Sequence, residues 1–352
     1  MMEAWAVVKN GAPLERIEIP DRDPQGTEIV LAVTHGGVCH SDLHFWKGSY
    51  NMGGGKIMLL AERGVKLPRA PGHEIVGRVT KVGPQASGVA IGDLRIVFPW
   101  LGCGVCQRCQ DGEDNLCDKP SAIGVMHHGG FGEQVVVPHS RFLVDPGDID
   151  PAFAATLACS GITVYSAIKK IMPLAADEPV VLIGAGGLGL AAISMLIALG
   201  HQNIVSVDIH ADQRAAALEM GATKAVDGSQ KDVGALLLEA AGGPVKAVID
   251  FVNVSLTAQV GLDCLAKGGK LILIGVSGGD LMLSLAGMVF KPRTVQGSGT
   301  GTVSDLRAVV ALAQSGKLRS IPLTILPKDA ANSALQMLEN GQVRGRIVLA
   351  AA

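Results

Sequence analysis

Four apolar residues, Val180 to Ile183, run without a break into Gly184-Ala185-Gly186-Gly187-Leu188-Gly189 and then into an apolar stretch that ends at Gly200. A buried strand, a turn that needs glycine and a close-packed helix follow one another. The segment therefore predicts one unit of a parallel sheet covered by helices. By length alone Val180 to Gly200 would also suit a membrane span, but its glycines divide it into strand, turn and helix. Gly184, Gly186 and Gly189 have the G-x-G-x-x-G spacing, which is weak alone and informative where it joins a strand to a helix. Gly184 then permits the tight turn, Gly186 lets a pyrophosphate approach the backbone, and Gly189 allows the helix to pack against the strand. Gly187 and Leu188 open the helix, whose N-terminus favours phosphate charge. Asp208 ends the next apolar stretch about 20 residues on, where a carboxylate accepts from ribose hydroxyls and repels a 2′-phosphate. This favours NAD over NADP, with Arg214 as the nearby residue that argues the other way. The alternative role for Asp208 is to cap the helix Ala211 to Met220.

The chain has 352 residues, enough for two domains. In the second half, Ile204 to Asp208, Ala247 to Asp250 and Lys270 to Gly275 also read as strands, with helices at Ala211 to Met220 and Leu256 to Ala266. The first half reads instead as short strands punctuated by Gly and Pro: Ala4 to Lys9, Glu28 to Thr34, Ile75 to Val82, Arg95 to Phe98 and Gly132 to Val137. That pattern suggests a barrel-like domain. Hydrophobic residues make up 48% of the chain but aromatics only 3%, so both cores must be built mainly from Val, Ile, Leu and Ala. Thirty basic and 32 acidic side chains leave a net charge of −2 with no long run of one sign. Nothing here attracts a nucleic acid or an anionic membrane. Met1-Met2-Glu3-Ala4-Trp5 does not open a secretory signal, so a cytoplasmic location is expected.

Cys103, Cys106, Cys109 and Cys117 have the spacing C-x2-C-x2-C-x7-C. Short gaps present successive thiolates to one ion, and the fourth returns from a loop to close a tetrahedron. Structural zinc takes such a set, and an iron–sulfur cluster is the competitor. Three more residues suit an open site: Cys39, His73 and Cys159. A Cys2His set leaves one tetrahedral position for water or substrate. Taken singly these residues say little, since a lone Cys is more often a small buried hydrophobe. Cys264 reads that way. Asp42 could accept the free ring N–H of His73, and Glu74 could tune the metal field. Ser41 and His44 could carry a proton outward, although His44 also reads as an ordinary, partly exposed histidine.

These motifs, in this order, resemble the zinc-containing medium-chain alcohol dehydrogenases over essentially the whole chain. Gly-Val-Cys-His-Ser-Asp at 37–42, Gly-His-Glu at 72–74 and Cys-Ser-Gly-Ile-Thr at 159–163 look especially like tetrameric microbial members. The resemblance implies an α/β fold in which a GroES-like catalytic domain (1–159 and 296–352) is interrupted by a Rossmann NAD-binding domain (160–295). It implies Cys39, His73 and Cys159 as ligands of a catalytic zinc, and the four clustered cysteines as ligands of a structural one. It also implies Ser41 and His44 as a proton relay, His40 and Arg346 on the cofactor pyrophosphate, and Thr163 beside the nicotinamide. Trp100, Ala122 and Val276 would border a mainly apolar substrate pocket, joined by Tyr50. Such a pocket suits medium-chain, cyclic or aryl alcohols, primary or secondary. A homotetramer is expected, with a dimer as the alternative. A zinc-free quinone or enone reductase of the same fold and a non-catalytic NADH-binding protein are the rival readings. The segment from Phe45 to Pro71 is longer than in many members.

Overall fold

The computed structural model describes residues 1–351. Six parallel strands form one sheet in the order Lys224–Asp227, Ile204–Asp208, Val180–Ile183, Val245–Asp250, Leu265–Leu273, Thr294–Gly297. Counted along the chain this is 3-2-1-4-5-6, the doubly wound order of a dinucleotide-binding fold. Ligands bind such sheets at the carboxyl ends of the strands, where the order reverses. Here that point lies between Val180–Ile183 and Val245–Asp250, beside the glycine turn. The central strands are buried on both faces, which explains their unbroken apolar sequence.

The second large sheet is mainly antiparallel. Its order is Leu143–Val144, Leu94–Val97, Glu74–Val82, Ile29–Val38, Arg346–Ala350, Leu323–Pro327, and Gln134–Val137 also pairs with Ile29–Val38. The last strand thus returns to the first half of the chain, with Ile347 opposite Val38.

Helix Pro151–Thr156, the π-helical turn Leu157–Gly161 and helix Ile162–Ile171 run on continuously. This stretch is long and apolar enough to cross a membrane, but 83% of its most apolar window is buried inside the protein. It packs between the sheets as a core helix. Val180–Gly200, in contrast, is a strand, a glycine turn and the helix Gly187–Ala198.

Some sequence expectations need correcting. The first strand is Met2–Ala6, not Ala4 to Lys9, because its register is set by pairing with Glu15–Ile19. The helix expected to reach Ala266 is Ser255–Asp263, since Leu265 already pairs with Val245 in the parallel sheet. Strands Lys224–Asp227 and Thr294–Gly297 were not anticipated; each lies at a sheet edge, where burial and its apolar signature are incomplete.

Candidate active site

Cys39 follows the strand Ile29–Val38 and sits at the N-cap of helix His40–Lys47. His73 immediately precedes the strand Glu74–Val82. Cys159 lies in the π-helical turn, a local widening that recurs at functional sites. Far apart in sequence, these three residues bring one ligand atom each to within 4.8 Å of one another. All three are buried.

Asp42 organises the group from the first turn of its helix. Its carboxylate accepts the backbone N–H of Cys39 (2.8 Å) and of Gly72 (3.0 Å), and lies 3.2 Å from His73 Nδ1. One side chain therefore fixes the loop bearing one thiol and the ring plane of the imidazole. With Nδ1 taken, His73 Nε2 is buried and has no hydrogen-bond partner. Burial alone would depress this imidazole, but Asp42 and Cys39 hold its pKa well above the ordinary value. The neighbouring Cys159 thiol, with Arg346 and His73, brings Cys39 well below the usual thiol range despite its burial, and Cys159 is pushed up by Cys39 and by burial. Two buried cysteine sulfurs beside an imidazole nitrogen that has no hydrogen-bond partner form a donor set for a cation. Two sulfurs and one nitrogen suit zinc.

Glu74 is buried beside the cluster, where it is ion-paired with Arg346 and accepts the Ser160 N–H (3.2 Å). Burial raises its pKa, against the pull of Arg346. Arg346 in turn packs against the nucleotide turn: a Cβ on Gly187 would meet the Arg346 side chain. The pair thus joins the three-ligand cluster to the start of helix Gly187–Ala198. In that turn Gly184 has φ +95°, a Cβ on Gly189 would overlap the Gly184 carbonyl oxygen, and Gly186 has nothing within 4 Å. The open space at Gly186, at a helix N-terminus, fits a phosphate.

The Asp208 carboxylate accepts from Ala185 N–H (2.8 Å) and His210 N–H (2.9 Å), which places it at the glycine turn. His210, not Asp208, occupies the N-cap position of the following helix, so Asp208 does not take the capping role. Arg214 lies 3.2 Å from Asp227 and donates to the carbonyls of Asp208 and Ile209. Its charge is committed within the protein.

His40 opens helix His40–Lys47, Ser41 follows it, and Thr163 is buried near the start of Ile162–Ile171. Trp100 leans on His73, with ring centroids 5.3 Å apart, and its strand pairs with Ala122. Tyr50 stacks on His44 at 4.4 Å. Burial and the adjacent His40 depress the His44 pKa. Val276 follows the strand Leu265–Leu273 and is 44% exposed, the least enclosed of the four residues expected to border the pocket. The Tyr50–His44 stack carried no sequence signal, because two residues in different elements reveal nothing of their mutual angle.

The other cysteine group is compact as well. Sulfurs of Cys103, Cys106, Cys109 and Cys117 lie within 4.8 Å of one another. Backbone N–H groups of Val105 and Cys106 bring Cys103 down to about 6, and burial pushes Cys109 up to about 12. The loop is tied to the 3-10 turn Ser140–Phe142 through Asp114, which is buried and bonded to Arg141 at 2.9 Å. Sequence reading missed this support, since nothing marks Asp114 among the loop's acidic residues. Cys264 is buried in the nucleotide-binding core and donates weakly to the Gly234 carbonyl, away from both groups.

Comparison with known proteins decides the family. Residues 25–146 match the alcohol dehydrogenase GroES-like domain, and residues 187–315 match the zinc-binding dehydrogenase family. An NAD-dependent alcohol dehydrogenase of Sulfurisphaera tokodaii is 35% identical over 350 residues, 99% of each chain. The chain belongs to the zinc-containing medium-chain alcohol dehydrogenase family. Family members with other specificities are also similar. A D-arabinose 1-dehydrogenase (NADP(+)) of Saccharolobus solfataricus is 33% identical over 96% of this chain and 93% of its own. Among solved structures, the alcohol dehydrogenase of Aeropyrum pernix superposes with a TM-score of 0.89 at 29% identity, covering 99% of both chains.

Proposed function

We propose that this alcohol dehydrogenase family member transfers hydride reversibly between an alcohol and NAD, using one catalytic zinc at Cys39, His73 and Cys159. The observation that carries the reading is the three-donor cluster with its orphaned His73 Nε2, joined through Glu74 and Arg346 to the glycine turn. Zinc held there supplies Lewis acidity that favours loss of the alcohol proton, and NAD supplies the hydride acceptor. Asp42 keeps the His73 ring in one tautomer and orientation. Ser41 receives the alcohol proton and His44 passes it to solvent; burial and the adjacent His40 shift the His44 ring toward its neutral, proton-accepting form. His40 and Arg346 face the pyrophosphate, Thr163 the nicotinamide, and Asp208 the adenosine ribose.

A second zinc in the four-cysteine loop would have a structural role, giving two per chain. We place the catalytic domain at 1–159 and 296–352 and the nucleotide-binding domain at 160–295. Strand Thr294–Gly297 pairs within the parallel sheet, which supports moving the second limit to its end. A homo-oligomer, tetrameric by resemblance, is supported by exposed apolar side chains at Met282, Leu285, Val289 and Phe290 beside the edge strand Thr294–Gly297. Sedimentation showing only monomer at assay concentration would exclude it. A cytoplasmic location completes the reading.

Trp100, Ala122, Val276 and Tyr50 offer no cation for a carboxylate or phosphate, so hydrocarbon burial would drive substrate preference, by up to about 0.8 kcal/mol per methylene. The test is kcat/KM for ethanol to octanol, benzyl alcohol, cyclohexanol and D-arabinose, each with NAD and NADP. Rising values along the alcohols with NAD support the reading. A steady decline from ethanol upward, or preference for the sugar with NADP, would overturn the substrate assignment.

A further inference from the structure

The hairpin Ser49–Asn51/Ile57–Leu59 lies in the segment between Phe45 and Pro71, and its turn reaches the nucleotide-binding half. Gly54 donates its backbone N–H to the Asp280 carboxylate at 2.9 Å. Gly53, with φ +78°, is pressed against the same loop, so that a Cβ there would overlap the Gly279 carbonyl oxygen. Gly278 is equally close to Asn51.

The receiving loop is itself held. Asp280 donates its N–H to Ser255 Oγ (2.8 Å), and Asn253 Nδ2 donates to the Gly275 carbonyl (2.7 Å). Asn253 has φ 59°, a left-handed conformation uncommon outside glycine. Asn253 and Ser255 both follow Val245–Asp250, the strand beside the one that carries the glycine turn. At its other end the hairpin carries Tyr50, stacked on His44. One path of contacts therefore runs from the nucleotide-binding sheet through Asp280, Gly54 and the hairpin to Tyr50 and His44.

We propose that Asp280 is a positioning residue: it clasps the hairpin turn to the nucleotide-binding half, holding Tyr50 against His44 and the cleft closed over its ligands. The clasp is a single exposed N–H to carboxylate bond with tight backbone packing beside it. A bond of this kind has a modest net strength, enough to bias closure while still allowing product to leave. The proposal rests on the alcohol dehydrogenase reading for what the cleft holds, but the contact can be measured without turnover.

The zinc-loaded protein and its Asp280→Ala, Asp280→Asn and Gly53→Ala variants should be compared by hydrogen exchange of the 49–59 segment, with and without NADH. NADH release should be followed by stopped-flow fluorescence, and kcat and KM measured for an alcohol series. Asp280→Ala is expected to speed both exchange and NADH release by about threefold to tenfold, and to raise alcohol KM more than it lowers kcat. Gly53→Ala should act in the same direction. Asp280→Asn keeps an oxygen acceptor for Gly54 and should stay close to wild type in exchange and NADH release. Exchange and NADH release within twofold of wild type in both Asp280→Ala and Gly53→Ala would overturn the clasp. Absence of alcohol oxidation with a normal exchange response would instead count against the functional reading alone.

Discussion

Asp42 and Asp208 are ordinary acidic residues in the sequence, and each acquires its weight from what it touches. Asp42 joins Cys39, Gly72 and His73. Asp208 accepts from the glycine turn itself, while Arg214 is engaged with Asp227, whose carboxylate is brought down to about 2, chiefly by Ser229. On the proposed ribose role, Asp208→Ala removes an acceptor and the charge that repels a 2′-phosphate. The expected outcome is a rise of about tenfold in the Kd of NAD with little loss for NADP, read by titration of each cofactor against protein fluorescence. Unchanged NAD affinity would remove Asp208 from the ribose site. The placement of Asp208 at the glycine turn is legible in the sequence because strand end, spacing and glycine motif agree. The Asp280 contact was not, because Asp280 and Gly54 meet only through the relative placement of the two halves.

The element that opens the nucleotide site separates packing from binding within a few residues. A Cβ on Gly189 would overlap the Gly184 carbonyl, whereas Gly186 faces open space. Gly189→Ala should therefore strain the strand–helix contact and destabilise the fold by about 1–3 kcal/mol. Gly186→Ala should leave the unfolding midpoint nearly unchanged while weakening NAD binding at least about tenfold, since its methyl group occupies the phosphate approach. Thermal unfolding and cofactor titration on both variants check this, and equal loss of stability in the two would contradict it. Strands Val180–Ile183 and Ile204–Asp208 and helix Ala211–Met220 are located by sequence alone, because full burial or clear capping marks their ends. Edge strands and the two-residue strands at Trp100 and Ser121 lack such marks; pairing with distant partners defines them. Likewise the π-helical turn that presents Cys159 is invisible in an apolar helical sequence.

Across the whole molecule, the chain end returns to the first half and sets Arg346 between the two sites, paired with Glu74 and packed on Gly187. No local pattern near residue 346 foretells this, and only the family resemblance suggested a role there. The architecture makes the metal cluster and the nucleotide turn parts of one site, so activity should depend jointly on the metal and on NAD. The most direct test measures zinc content and alcohol-dependent NADH formation on the same samples of wild type, His73→Ala and Cys106→Ala. Wild type should hold two zincs per chain and form NADH. His73→Ala should keep one zinc, stay folded and bind NAD, yet lose on the order of a thousandfold in kcat/KM. Cys106→Ala should lose the other zinc and stability, at about 2–4 °C in unfolding midpoint per kcal/mol. Full NADH formation by metal-free protein, or by His73→Ala, would contradict the account.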